Sequence, residues 1–328
     1  KRSLTINLKD PDGLKIFKQL ADKADVIIEN YRPDVKHRLG IDYETLKKTN
    51  PRLVYASISG FGQDGPYANR PGLDQIVQGV SGLMSITGKP GEGPMRCGIA
   101  ISDSTSGVYL SFGILLALLQ RERTGEGQWV NTSLVQALVA LMDFQAARWL
   151  IDHEVPPQAG NDHPTGIPQG VFKTKDGHIS ISGSGQLYPR LCNAIGAPEL
   201  ITHPDYVDFR LRSKNRKQLN AAIDAKTVTK TSAEWIELLN KAGVPCGPIY
   251  TIDQMFNDPQ IKHIGLAQSV EHPTLGKMEL VGQGVNLGSK PVKLRTATPE
   301  RGEHNDEILK SLGYSEKDIA SLRERRVI

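Results

Sequence analysis

Hydrophobic positions in the first third of the chain switch repeatedly between two periods. Leu14, Phe17, Leu20, Ala21 and Ala24 follow Asp10-Pro-Asp-Gly at the spacing of one helical face. The run Val26-Ile27-Ile28 is short, β-branched and bounded by polar residues, which predicts a buried strand. The theme repeats as a helix over 43–48 and a strand over 53–58. Strands alternating with helices at this spacing imply βαβ units and a parallel sheet, so the expected class is α/β. Ahead of them, Leu4-Thr-Ile-Asn-Leu8 reads as a strand. A chain opening there starts in mid-domain, with a further segment expected upstream.

The glycine-rich stretch Gly60-Phe-Gly-Gln-Asp-Gly-Pro66 follows. Helical periodicity then covers 74–84 and 104–121, and the second helix is apolar nearly all round, which predicts a buried position. Residues 129–132 read as a strand, 133–152 as one long helix, and Pro156-Pro157 with the polar residues 158–166 as a linker. Asp176-Gly177 between two alternating runs signals a hairpin. Helices are expected over 187–195, 216–225 and 232–242, and extended chain over 245–251 and 268–281. Irregular proline-containing chain and a last helix over 305–312 complete the pattern.

Composition narrows the partners. With 38% hydrophobic and 23% charged residues, the 328-residue chain is globular rather than disordered. Forty Lys and Arg against 36 Asp and Glu leave a net charge of +4, which gives no electrostatic reason for a nucleic-acid partner. The basic stretches 210–217 and 323–326 lack interleaved aromatics and read as solvated surface. Cys97, Cys192 and Cys246 lie far apart without a CxxC pair, which argues against a disulfide framework or structural zinc and for a reducing cytoplasm. The longest strongly apolar stretch, between Val108 and Leu119, falls short of the ~20 residues of a spanning helix, so no membrane association is expected. The 32 glycines and 20 prolines predict many loops.

Three of those loops place polar residues where chemistry can use them. Asp103 stands in Ile101-Ser-Asp-Ser-Thr-Ser-Gly107, between an apolar extended run and the helix that follows. On spacing alone it reads first as a helix N-cap, and alternatively as a carboxylate nucleophile kept ionised by the same N–H groups and dipole. Ser182-Gly183-Ser184-Gly185-Gln186 joins a strand to a helix, as a tight turn or a backbone anion nest. Glu29-Asn30-Tyr31-Arg32-Pro33 lies at the carboxyl end of a parallel strand, where open α/β sheets bind ligands. Arg32 and Arg38 there are either phosphate contacts or surface charge. No metal-ligand spacing occurs among the eight histidines.

Taken in order, these pieces resemble the class III coenzyme A transferase family, which includes formyl-CoA transferase and α-methylacyl-CoA racemase. The residues that carry the resemblance are Asn30-Tyr-Arg-Pro33, Ser59-Gly-Phe-Gly-Gln-Asp-Gly-Pro-Tyr67, Gly72-Leu-Asp74, Gly79-Val-Ser-Gly82, Asp103 with Gly107, and 121–128. Further on, Gly243-Val-Pro-Cys-Gly-Pro248, His272-Pro-Thr-Leu-Gly276 and Gly302-Glu-His-Asn305 also fit, so the match spans essentially the whole chain.

The resemblance implies a Rossmann-like large domain built from both chain ends, an inserted smaller α+β domain, and an interlocked homodimer. On this chain that gives a large domain over 1–140, a linker helix and loop over 141–168, a small domain over 169–265, and a return linker with the rest of the large domain over 266–328. It implies that Asp103 attacks an acyl-CoA thioester and passes CoA to a free carboxylic acid through an anhydride and an aspartyl-CoA thioester. Asn30, Tyr31, Arg32 and Arg38 match positions that hold the CoA nucleotide. Asp74 matches an acidic residue flanking the site, and Gly183, Ser184, Gly185 and Gln186 match a loop that closes over it. Coenzyme A is then a substrate, with no permanently bound cofactor or metal. The racemase branch has a proton-carrying His immediately before the acidic position. Leu73 stands there in this chain, which disfavours racemisation. A catalytically silent CoA-binding protein is the other reading.

Overall fold

Val54, Tyr55, Ala56 and Ser57 are almost completely shielded from solvent, because the strand carrying them lies between two others. In this computed structural model, which describes residues 1–288 and 292–328, helix α1 (Pro11–Ala21) leads into the sheet. Strands β1 (Val26–Glu29), β2 (Val54–Ser59) and β3 (Trp129–Ser133) run parallel in the order β1-β2-β3. Val26 pairs with Val54, and Tyr55 with Trp129. Parallel pairing requires crossovers. Helices α2 (Pro33–Leu39) and α3 (Tyr43–Leu46) make the first; α4 (Asp74–Val80), α5 (Leu83–Ile86) and α6 (Ile101–Thr124) make the second. Helices α7 (Leu134–Leu141) and α8 (Asp143–Asp152) follow β3. The α/β class with a parallel sheet is as expected.

The chain forms two compact units. The first comprises Lys1–Met84, Arg96–Pro156 and Gly265–Ile328, and the second Ser85–Met95 and Pro157–Ile264. In the first unit the two ends of the chain meet. The Thr5 N–H donates to Asn305 Oδ1 at 2.9 Å, Asn305 Nδ2 donates to Thr5 Oγ1 at 2.8 Å, and the Asn7 N–H donates to the Val327 carbonyl at 2.7 Å. A hairpin of β7 (Ala267–His272) and β8 (Gly276–Val281) also belongs to this unit, after β4 (Gln169–Lys173), β5 (His178–Ser182) and β6 (Cys246–Pro248) have formed an antiparallel sheet in the second. The Asp176-Gly177 hairpin joins β4 to β5. Phe172, Ile179, Leu191, Leu219, Ile223, Trp235 and Leu239 make the core of that second unit.

Several expectations need correction. Residues 4–8 are not a strand; their backbone bonds go to the C-terminal segment rather than to a ladder. Strand β1 is not buried throughout, since it is the edge of the sheet and Ile28 is 63% exposed. The helix expected over 74–84 breaks into α4 and α5 around Gly82, at φ +86°. The long helix over 133–152 is two, bent by 79° where Asp143 takes φ +44°. A second C-terminal helix, Glu316–Glu324, follows Asn305–Ser311 and is started by a Ser315/Asp318 capping box. Within the basic stretch 210–217, Arg212 is buried, stacked over the Tyr188 ring and donating to the Tyr206 carbonyl at 2.9 Å. Of the irregular proline-containing stretch, residues 289–291 lie outside the described residues.

Helix α6 departs furthest from its expected form. It spans 24 residues, longer than its most apolar run, and is long and apolar enough to cross a membrane by length and composition. It is not buried all round. Leu110, Ile114 and Ala117 pack on Val54 and Ala56, whereas Val108, Phe112, Leu115, Leu116 and Leu119 are exposed in the single chain. Apolar residues on both faces satisfy a periodicity test for burial without saying what covers the outer one.

Candidate active site

Asp103 lies inside α6 rather than before it. The N-cap position is Ala100, which has no side chain to cap with, and Asp103 occupies the first turn. The cap comes from α4 instead. The Ser102 N–H donates to Asp74 Oδ1 at 2.9 Å, and Ser102 Oγ donates to the same oxygen at 2.8 Å. A carboxylate at the start of a helix answers both its orphan donors and its dipole. The second Asp74 oxygen accepts from Gln78 Nε2 at 2.7 Å and faces Arg96 at 3.6 Å. Burial works to raise the pKa of Asp74, but the bonds from Ser102 and Gln78 and the Arg96 charge together hold it below the ordinary value.

Gln78 extends the network to the segment entering α6. Its Nε2 donates to the Ile99 carbonyl at 3.1 Å, and its Oε1 accepts the Cys97 N–H at 2.8 Å. The sequence offered one sign of this, since Asp74 and Gln78 stand four apart on one helix. Asp103 contrasts with its neighbour. Its side chain is exposed, and its carboxylate accepts no hydrogen bond among the described residues. Partial desolvation and the Asp74 charge raise its pKa. The arrangement therefore has one carboxylate fully engaged in structure and one presented for chemistry.

The other candidates of the first unit gather at the carboxyl end of β1. Asn30, Tyr31 and Arg32 are exposed between β1 and α2, and Pro33 fixes the first turn of that helix. Arg38, in its last turn, pairs with Asp34 at 3.3 Å. Glu29 holds the segment from below, accepting the Tyr31 N–H at 2.7 Å. Leu73 is exposed at the N-cap of α4 and offers no proton carrier.

The loop Gly183, Ser184, Gly185 and Gln186 belongs to the second unit. Gly183 packs so closely on Leu191 that a Cβ would overlap the leucine side chain. Gly185 takes φ +59° with open space around it, and Gln186 is exposed. Ser184 Oγ reaches Gln169 Oε1 at 3.4 Å. Both glycines thus have a local structural reason. Among the described residues no cluster of His, Cys, Asp and Glu is suited to a metal ion.

Sequence reasoning missed a buried group beneath the β1 loop. Lys36 is 1% exposed; its Nζ donates to Glu29 Oε1 at 3.0 Å, Ser57 Oγ at 3.3 Å and Gln63 Oε1, and lies 5.1 Å from the Trp129 ring centre. No periodicity announces a lysine turned inward from a polar helix.

Comparison with known proteins adds a separate line. A family model described as CoA-transferase family III matches residues 1–305. The human succinyl-CoA:glutarate CoA-transferase is 36% identical over 330 residues, covering 100% of this chain and 75% of that protein. The acetyl-CoA:oxalate CoA-transferase of Acetobacter aceti is 42% identical over 262 residues, covering 79% and 67%. Among solved structures, a CAIB/BAIF family protein from Brucella suis superposes with a TM-score of 0.83 at 32% identity, covering 95% of this chain and 82% of that one.

Proposed function

The chain belongs to CoA-transferase family III and is a CoA-transferase, and from that premise we propose that Asp103 is the nucleophile through which CoA passes from an acyl-CoA to a free carboxylic acid. The observation that carries this reading is the exposed Asp103 carboxylate, unengaged among the described residues, near an Asp74 held by three hydrogen bonds.

The carboxylate attacks the thioester carbonyl, and the C–S bond breaks to release CoA thiolate and leave an aspartyl–acyl anhydride. Thiolate then attacks the aspartyl carbonyl, expelling the donor acid and forming an aspartyl-CoA thioester. The acceptor carboxylate displaces thiolate from Asp103, giving a second anhydride. Thiolate finally attacks the acceptor's carbonyl, releasing the new acyl-CoA and the free aspartate. No water enters, so the free energy of the thioester is conserved across all four steps. The raised pKa of Asp103, caused by desolvation and the Asp74 charge, suits the role, because a more basic carboxylate is a better nucleophile in its ionised form.

Asn30, Tyr31, Arg32 and Arg38 hold the nucleotide end of CoA in this reading, their charge and exposure at a strand's carboxyl end fitting a phosphate-bearing ligand. The family resemblance assigns Gly183, Ser184, Gly185 and Gln186 to a loop that shields the intermediates. The matched transferases act on succinyl-CoA with glutarate and on acetyl-CoA with oxalate, so short dicarboxylic acids are the acceptors to test first. The exposed apolar faces of α6 and α8 support a homodimer.

A panel of oxalate, succinate, glutarate and monocarboxylic acids against succinyl-CoA and acetyl-CoA, scored by mass spectrometry of the acyl-CoA products, tests the activity. Hydroxylamine added during turnover should convert Asp103 to its hydroxamate. Transfer with an unmodified Asp103 would refute its role as nucleophile.

A further inference from the structure

A lysine this deep in a fold needs a reason, because burying an ammonium group is costly unless it is paired and hydrogen-bonded. Lys36 is both. Glu29 opposes its charge at 3.0 Å, Ser57 accepts at 3.3 Å, and Gln63 and the Trp129 face complete its surroundings. The partners come from separate elements: Glu29 ends β1, Ser57 lies in β2, Trp129 opens β3, and Gln63 sits in the loop after β2. Trp129 Nε1 also donates to Ser57 Oγ at 2.9 Å, so the three strands are tied side by side at one level.

Two loops hang from this cluster. Glu29 uses its other oxygen to accept the Tyr31 N–H at 2.7 Å, which fixes the start of the Asn30–Arg32 segment. Gln63 Nε2 donates to Ser59 Oγ at 3.3 Å, and Ser59 Oγ both donates to the Gly62 carbonyl at 2.8 Å and accepts the Gly62 N–H at 3.1 Å. Among the described residues, Lys36 is therefore the one side chain bonded to both the acid that orients Tyr31 and the amide that orients the Gly60–Pro66 turn.

We propose that Lys36 is a positioning residue for coenzyme A, locking the Asn30–Arg32 segment and the glycine-rich loop after β2 in one arrangement at the carboxyl end of the sheet. This rests on the reading of Asn30, Tyr31 and Arg32 as the CoA-binding segment. Pre-organisation of this kind lowers the cost of ordering loops when ligand binds, so its loss appears in affinity rather than in the chemical step.

The test is calorimetric titration of free coenzyme A into the wild-type protein and the Lys36→Met, Lys36→Arg and Gln63→Ala variants, with the melting temperature of each. Lys36→Met should weaken CoA binding at least tenfold, and Lys36→Arg, which keeps charge and donors, should recover most of the loss. Gln63→Ala keeps the Glu29 ion pair but removes one acceptor of the buried ammonium, so it should weaken binding about threefold and lower the melting temperature only slightly. Unchanged CoA affinity in Gln63→Ala and in a folded Lys36→Met overturns the proposal. If Lys36→Met does not fold, wild-type affinity in Gln63→Ala overturns it. A wild-type protein indifferent to CoA would instead overturn the assignment of the Asn30–Arg32 segment, and the clamp with it.

Discussion

Asp74 accepts three hydrogen bonds and faces Arg96, whereas the carboxylate of Asp103 accepts none among the described residues. Replacing Asp103 with Ala should lower transfer at least ~1000-fold, as removal of a covalent nucleophile does. The side chain is exposed, so stability should stay within about 0.5 kcal/mol, which chemical denaturation checks. The pH profile tests the pairing. Asp103 must be ionised to attack, and the neighbouring Asp74 charge helps to raise its pKa. Asp74→Asn removes that charge, so the acid limb of kcat/KM should move to lower pH; a limb that stays or rises contradicts the coupling. Stability runs the other way. The folded-state pKa of Asp74 is depressed, so its contribution is present above the unfolded pKa and is lost as pH falls through the folded value. Wild type and Asp74→Asn should therefore differ most near neutral pH and converge in acid.

At the scale of elements, the glycine-rich turn after β2 is closed by backbone contact. A Cβ at Gly72 would lie 2.8 Å from the Gly60 Cα, and one at Gly60 would lie 2.7 Å from the Gly72 Cα. Gly72→Ala should cost about 1–3 kcal/mol, the range for overpacking, and a denaturant midpoint checks it. Elements with strong local signals were legible in the sequence: the β1–β2 alternation, the Asp176-Gly177 hairpin and the Ser232–Lys241 helix all stand where expected. The failures share a cause, since each depended on distant residues. Nothing near Asp143 announces a left-handed residue inside an apolar helical run, and nothing near Ala100 says that its helix is capped from α4. Likewise the motif residue Asn305 joins the chain's two ends through Thr5, a contact across 300 positions. The exposed candidates Asp103 and Asn30 to Arg32 come from motifs in the sequence, whereas Lys36, Gln78 and Arg96, which bond around those segments, do not.

For the whole molecule, the outer face of α6 is the largest departure from a self-contained fold. Val108, Phe112, Leu115, Leu116 and Leu119 recur at helical spacing and remain exposed in one chain. A second copy of the chain covers such a face in the proposed homodimer, so light scattering should give about twice the 36.0 kDa chain mass. Phe112→Lys with Leu116→Lys should reduce it toward a single chain; an unchanged mass would place the interface elsewhere.

The central claim is that CoA travels by way of Asp103, and the path of oxygen atoms tests it most directly. The enzyme is turned over once with the most active acyl-CoA and an acceptor acid labelled with oxygen-18 in its carboxylate. The account predicts label in the peptide carrying Asp103 after that turnover, and in the released donor acid after the next. Direct attack of the acceptor on the acyl-CoA would also carry label to the donor acid but leave Asp103 unlabelled. An unlabelled Asp103 after confirmed transfer would contradict the account.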